Sequence, residues 1–144
     1  MIKKTYCIYF FLLFLVTNAL HANVESFIVV KVDNQIITNY EIKNKILSTL
    51  IISGKEITQK NIDSLKKESL ASLINSKLKF IEVSKFNLTV SDNQINQYLN
   101  SISSNNIQLL KDKFKINELD FDLFLKEVET EFKWQKLIYE IYSN

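Results

Sequence analysis

The 144-residue chain contains no proline and a single glycine, Gly54. Because proline and glycine are the main signals for turns and loops, their scarcity predicts long helices joined by few tight bends. Hydrophobic residues make up 47% of the chain and charged residues 24%. This composition is typical of a globular protein and not of a disordered one, and the length suffices for one domain with a hydrophobic core.

Arginine is also absent, and all 18 basic residues are lysine. Lys3 and Lys4 precede every acidic residue, so the chain from residue 23 onward carries 16 lysines against 16 acidic residues. Proteins that bind phosphate backbones use bidentate arginine contacts and a positive field, and this composition offers neither. We therefore predict that nucleic acids are not partners of this chain.

Residues 1–22 have the three-part pattern of a secretory signal peptide. After the two lysines, the run Tyr6–Val16 is entirely apolar, and small residues follow at Ala19 and Ala22. The run is far shorter than the about 20 residues that a membrane-spanning helix requires. We predict cleavage after Ala19 or, preferably, after Ala22, which would leave a mature domain of residues 23–144 without stable membrane insertion. The alternative is an uncleaved inner-membrane anchor.

The only cysteine and the only histidine, Cys7 and His21, both precede Ala22. A mature chain without them has no disulfide, no thiol nucleophile, no Ser–His pair and no histidine-ligated metal site. The closely spaced carboxylates Asp120 and Asp122 have the character of solvated helix positions, as do the glutamates at 127, 129 and 131. No pattern of oxygen ligands like that of an EF-hand is present. We therefore predict no catalytic residues, no metal and no cofactor.

Two short strands and a helix are predicted at the start of the mature chain. Phe27–Val32 is rich in β-branched residues, and a polar turn over 33–35 separates it from a second short strand, Ile36–Ile37. Thr38 and Glu41 have the spacing of a capping box. The helix that they begin should run to about Ser53, with Gly54 ending it.

A long helix is predicted from Gln59, capped by Thr58, to about Phe86. One buried face is predicted from its apolar residues at three- and four-residue intervals: Leu70, Leu73, Ile74, Leu78 and Ile81. Asn87 follows the helix, and asparagine tolerates the left-handed conformation that ends many helices.

Three further helices complete the prediction. Ser91 and Gln94 repeat the capping-box spacing, and the apolar residues that follow them at helical intervals extend to Ile102. A shorter helix is predicted over 107–115, and Asp120 should cap a last helix over 121–142. The sequence thus predicts a mainly α fold, a multi-helix domain with a short N-terminal β-hairpin.

The order of these parts resembles the N-terminal chaperone domain of SurA-like periplasmic proteins. The strand pair leads into "IITNYEI", and the long helix and the residues that follow it contain "LINSKLKFIEVSKFNLTVSD". Family members carry a strand of the type "VVNxxVIT" and a helix with "LIxxxLxxxEAxxxGIxVSD". The matching positions here include Leu73, Glu82, Val90 and Asp92, whereas Asn87 stands where the family usually has glycine. The resemblance implies an orthogonal helical domain, similar also to the C-terminal domain of trigger factor.

The same resemblance implies an exported, periplasmic protein that binds unfolded polypeptide clients, with outer-membrane protein precursors as candidate clients. Family members continue into parvulin-type prolyl isomerase domains, for which this chain has no room. The expectation is therefore chaperone-like binding without enzymatic activity. The alternatives are an isomerase-family member without its catalytic domain and a structural or assembly subunit. Such a subunit would pair through the edge of its hairpin with a partner chain or a second copy.

A chaperone of this kind needs exposed apolar surface that accepts varied side chains. Aromatic residues of the last two helices are the candidate peptide-binding residues, against the alternative that most of them form the core. The candidates are Phe114, Phe121, Phe124, Phe132, Trp134, Tyr139 and Tyr142.

Overall fold

The computed structural model describes residues 26–143 of the chain. The predicted signal peptide, with Cys7 and His21, lies outside the described residues. Two strands are followed by five helices, and the predicted mainly α fold with an N-terminal hairpin is confirmed. The elements are β1 (Ile28–Val32), β2 (Gln35–Thr38), α1 (Asn39–Ile52), α2 (Gln59–Val83), α3 (Asp92–Ile102), α4 (Ile107–Ile116) and α5 (Phe121–Tyr142).

The two strands form an antiparallel hairpin in which Val30 lies opposite Ile37. Asp33 turns the chain with a φ of 52°, the positive value that tight hairpin turns require at their first central residue. The turn is one residue shorter than predicted, since Gln35 already belongs to β2. Ile37 is fully buried and anchors the hairpin, whose two strands both contact α2.

The predicted helix starts are confirmed by their hydrogen bonds. The Glu41 backbone N–H donates to Thr38 Oγ1 over 3.1 Å, and the Thr38 N–H donates to Glu41 Oε2 over 2.8 Å. Ser91 and Gln94 form the same reciprocal pair. Such capping satisfies backbone donors that the first turn of a helix leaves free.

The end of α1 is also as predicted. Gly54 takes a φ of 67°, and its N–H donates to the Ile51 carbonyl, while the Lys55 N–H donates to the Leu50 carbonyl. This pair of bonds closes a helix end and requires a left-handed residue, which glycine supplies without strain.

The predicted end of α2 is wrong in two respects. The helix stops at Val83, and Asn87 is not among the residues with positive φ. The Ser84 N–H bonds to the Phe80 carbonyl at 3.0 Å, and the Phe86 N–H bonds to the Val83 carbonyl at 3.1 Å. These bonds satisfy the last carbonyls without a left-handed residue.

The predicted buried face of α2 is also partly wrong, because Leu78 is 52% exposed. Ser69, Leu73 and Val83 are the buried residues of this helix. Leu78 lies five residues beyond Leu73, which places it about 140° around the helix from that contact. The neighbouring elements therefore cover a different strip from the one that the apolar pattern favours.

The core lies where α1, α3, α4 and α5 converge. Its buried residues are Ile46, Leu47, Leu50, Leu99, Leu110, Phe114, Leu119, Phe124 and Val128. The buried Asn44 side chain joins α1 to the start of α5, because it donates to the Asp120 carbonyl at 3.1 Å and accepts from the Asp120 N–H at 2.7 Å. Within residues 26–143, no helix combines the length and the apolar character that crossing a bilayer requires.

Candidate functional site

A groove of about 580 Å³ lies between α2 and α5, and we call it the α2–α5 groove. Glu68, Ser72 and Ser76 line its α2 side at intervals of four residues, which places them on one face of the helix, and Ala71 lines the groove beside them. Because the alanine and serine side chains are small, α2 leaves open space in front of α5. The facing residues of α5 include Phe124, Val128 and Phe132.

The floor of the α2–α5 groove is aromatic. Phe132 meets Tyr98 of α3 edge to face, with ring centroids 5.9 Å apart and an angle of 86° between the planes. Phe124 is 8% exposed and lies 5.4 Å from Phe114, so the floor continues directly into the core. A floor built on the core is held in place by packing and offers a preformed apolar surface to a ligand.

Two ion pairs hold the walls of the groove together. Lys45 of α1 pairs with Glu127 at 2.5 Å, and Lys79 of α2 pairs with Glu131 at 2.5 Å. The Lys45–Glu127 pair is the more enclosed, with both side chains less than a quarter exposed. Glu68 also lines the groove, and within residues 26–143 it forms no ion pair.

The phenol of Tyr98 is held in its neutral form. Burial raises the pKa of Tyr98 above its ordinary value of 10.0, and the nearby Glu127 carboxylate raises it further. The neutral phenol keeps its O–H as a hydrogen-bond donor at the groove floor over the whole physiological pH range.

The raised pKa of Tyr98 predicts a loss of stability in alkali. Well below pH 10.0 the phenol is neutral in both the folded and the unfolded chain, so ionisation of Tyr98 does not reduce the free energy of unfolding. Above this pH the unfolded chain releases its proton first, and the free energy of unfolding should fall as the pH rises through the raised pKa. Urea denaturation between pH 9 and about 11 measures this slope.

Tyr98→Phe should show a smaller alkaline loss of stability than the wild type. Burial and Asp120 raise the pKa of Tyr40 as well, but Tyr40 is present in both proteins and cancels in the comparison. Equal slopes for the two proteins would contradict the assignment of this effect to Tyr98.

The structure divides the seven candidate aromatic residues into three groups. Phe124 and Phe132 line the α2–α5 groove, and Trp134 lies beside it, with Lys79 Nζ 5.9 Å from its ring centroid. Phe114 is 1% exposed in the core, and Phe121 packs against it with centroids 5.1 Å apart. Tyr139 and Tyr142 are largely exposed beyond the groove. Their roles as peptide contacts stay predictions.

The sequence reasoning did not identify the α2 wall or Tyr98. Ala71, Ser72 and Ser76 carry no chemical signal in the sequence, and small residues become informative only when a facing helix is known. Tyr98 belongs to the predicted stripe of α3, but nothing local indicates that it meets Phe132. Within the described part of the chain, no group of three metal-ligating side chains is placed to hold an ion.

The chain is similar to a known family of domains over most of its length. The model of the family described as the SurA-like N-terminal domain matches residues 3–138, which is nearly the whole chain. No curated protein and no solved structure matches the chain. The observed hairpin, capped helices and helical core agree with the sequence features that carry this resemblance. The chain therefore belongs to the family of SurA-like N-terminal domains.

Proposed function

We propose that this chain is a periplasmic, chaperone-like protein that binds unfolded polypeptide segments in the α2–α5 groove. The observation that carries the proposal is an open cavity of about 580 Å³ whose aromatic floor is formed by the half-buried Phe132 and Tyr98 and the buried Phe124. Membership in the SurA-like family, which is periplasmic, supports both the binding role and the location. Outer-membrane protein precursors are the clients that we propose.

The groove has the two kinds of contact that an unfolded segment needs. The aromatic floor can receive apolar and aromatic side chains of many shapes, because ring contacts depend little on the identity of the partner. Ser72, Asn75 and Gln135 also line the groove and can hydrogen-bond a peptide backbone. Main-chain bonding with an adaptable apolar surface suits binding that tolerates varied sequences.

The binding test uses Trp134, the only tryptophan in the chain and a neighbour of the groove. A peptide that contains phenylalanine and tyrosine but no tryptophan should change the Trp134 emission in a saturable way. A peptide of the same length and charge with the aromatic residues replaced by serine is the control. Equal responses to the two peptides would overturn the proposal.

An aggregation assay extends this test to whole clients. The purified chain should suppress aggregation of an unfolded outer-membrane protein more than that of an unrelated soluble protein. If neither client is protected, the result contradicts the proposed client binding and supports the alternative of an assembly subunit.

We further propose that binding occurs without catalysis, so the purified chain should not accelerate proline isomerisation in a standard peptide assay. An acceleration that copurifies with the chain would overturn this part of the proposal.

The alternative of a structural or assembly subunit rests on the exposed strand β1. Ile28 of β1 is 61% exposed, the preceding Phe27 is 60% exposed, and β1 pairs only with β2 among residues 26–143. An apolar strand with a free edge is a template for another strand from a partner chain or a second copy. Light scattering coupled to size-exclusion chromatography tests the second copy: a monomer at all concentrations would argue against homo-oligomers.

A further inference from the structure

We propose that the α2–α5 groove selects unfolded segments in which a lysine or arginine stands next to an aromatic residue, and that Glu68 is the residue that sets this preference. The inference rests on the proposed peptide binding and adds to it the chemical class of the bound segment. It follows from how the charges of the groove are paired.

The groove carries one more negative than positive charge. Glu68, Glu127 and Glu131 line it, against Lys45 and Lys79. Both lysines are already engaged at 2.5 Å, so each of the two α5 carboxylates has its own cation. Glu68 is the groove carboxylate that has no ion-pair partner in the part of the chain that the structure describes.

This pairing disfavours acidic ligands for two reasons. An aspartate or glutamate of the bound segment would meet the negative charge of Glu68 and would have to break an existing ion pair to reach Lys45 or Lys79. A basic residue meets no such cost, because Glu68 is free to pair with it without disturbing the walls. Complementary charges of this kind determine which partners bind more than how tightly they bind.

The aromatic floor favours the same class of segment. A lysine or arginine beside an aromatic residue can place its cation over the face of Tyr98 or Phe132 while the aromatic residue fills the groove. The raised pKa of Tyr98, to which Glu127 contributes, is consistent with a negative potential at this floor. Glu68 and the rings therefore both favour a segment that carries a basic side chain.

The test compares three tryptophan-free peptides that share one aromatic core and differ only in the neighbouring residue, which is lysine, glutamine or glutamate. Titration of Trp134 fluorescence at low salt should give affinities in the order lysine, glutamine, glutamate. An exposed charge pair changes the affinity by a few-fold, so we expect the dissociation constant to rise about threefold from each peptide of this order to the next. The differences should shrink in high salt, because screening weakens exposed charge interactions.

Glu68→Gln should clearly reduce the differences between the three affinities and leave only the contribution of the rings, whereas Glu129→Gln should leave these differences unchanged. Glu129 is an exposed carboxylate of α5 that does not line the groove, and it is the matched control for a change of net charge. Equal affinities of the wild type for the lysine and glutamate peptides would overturn the inference while leaving peptide binding intact. An equal effect of the two variants would also overturn it, and binding of none of the peptides would remove the proposed function itself.

Discussion

Replacing Phe114 with alanine should lower the free energy of unfolding by about 3–5 kcal/mol, the usual cost of truncating a buried phenylalanine. Phe114 is 1% exposed, and its ring lies against Phe121 and Phe124 with centroids 5.1 and 5.4 Å away. Alanine would leave a cavity at the junction of α4 and α5 that these rings cannot fill without leaving their positions. The free energy of unfolding of a natural domain is only about 5–15 kcal/mol, so this change should be close to the limit of what the fold tolerates.

Urea denaturation followed by circular dichroism measures the effect. With a slope of about 2 kcal/mol per molar urea, the midpoint should fall by about 2 M. Ile116→Ala is the matched control, because Ile116 belongs to the same helix and is 79% exposed. The control should change the stability by less than about 0.5 kcal/mol.

The outcome for Phe114 also distinguishes core from binding roles. If the alanine variant kept wild-type stability but lost peptide binding, Phe114 would be a ligand contact and its place in the core would be wrong. Loss of stability is the result that the buried position requires.

Filling the α2–α5 groove from its α2 side should abolish most of the proposed peptide binding. Ala71→Phe places a large ring in front of α5, in the space that a peptide side chain would occupy. Burial of one large apolar side chain contributes about 1.5–3 kcal/mol, and tenfold in affinity corresponds to 1.4 kcal/mol. The dissociation constant should therefore rise by about tenfold to a hundredfold in the Trp134 fluorescence titration.

Ser64→Phe is the matched control for this substitution. Ser64 is an exposed small residue of the same helix that does not line the groove, so its replacement adds the same ring elsewhere. Circular dichroism should show wild-type helix content for both variants. If Ala71→Phe and Ser64→Phe bound the aromatic peptide equally well, the groove would not be the binding site.

The sequence alone determined the parts of this fold that depend on neighbours along the chain. The hairpin, the capping boxes at Thr38 and Ser91 and the caps at Thr58 and Asp120 are formed by side chains within a few residues of the groups that they satisfy. Such contacts can be predicted because their geometry follows from the spacing alone. The scarcity of proline and glycine also predicted the long helices, because these two residues interrupt helices through local backbone effects.

Tertiary structure decided which apolar residues are covered and where the groove lies. Periodicity placed Leu73 and Leu78 on one predicted buried face, but it did not show which of them a neighbouring element covers. In the same way, Phe114 and Tyr139 both belong to helical aromatic patterns, yet one is buried and the other is 72% exposed. The groove combines small residues near position 72 with aromatic residues near position 128, and their meeting depends on how α2 and α5 pack. A hydrophobic pattern predicts that one face of a helix will be buried, whereas long-range packing determines which element covers that face.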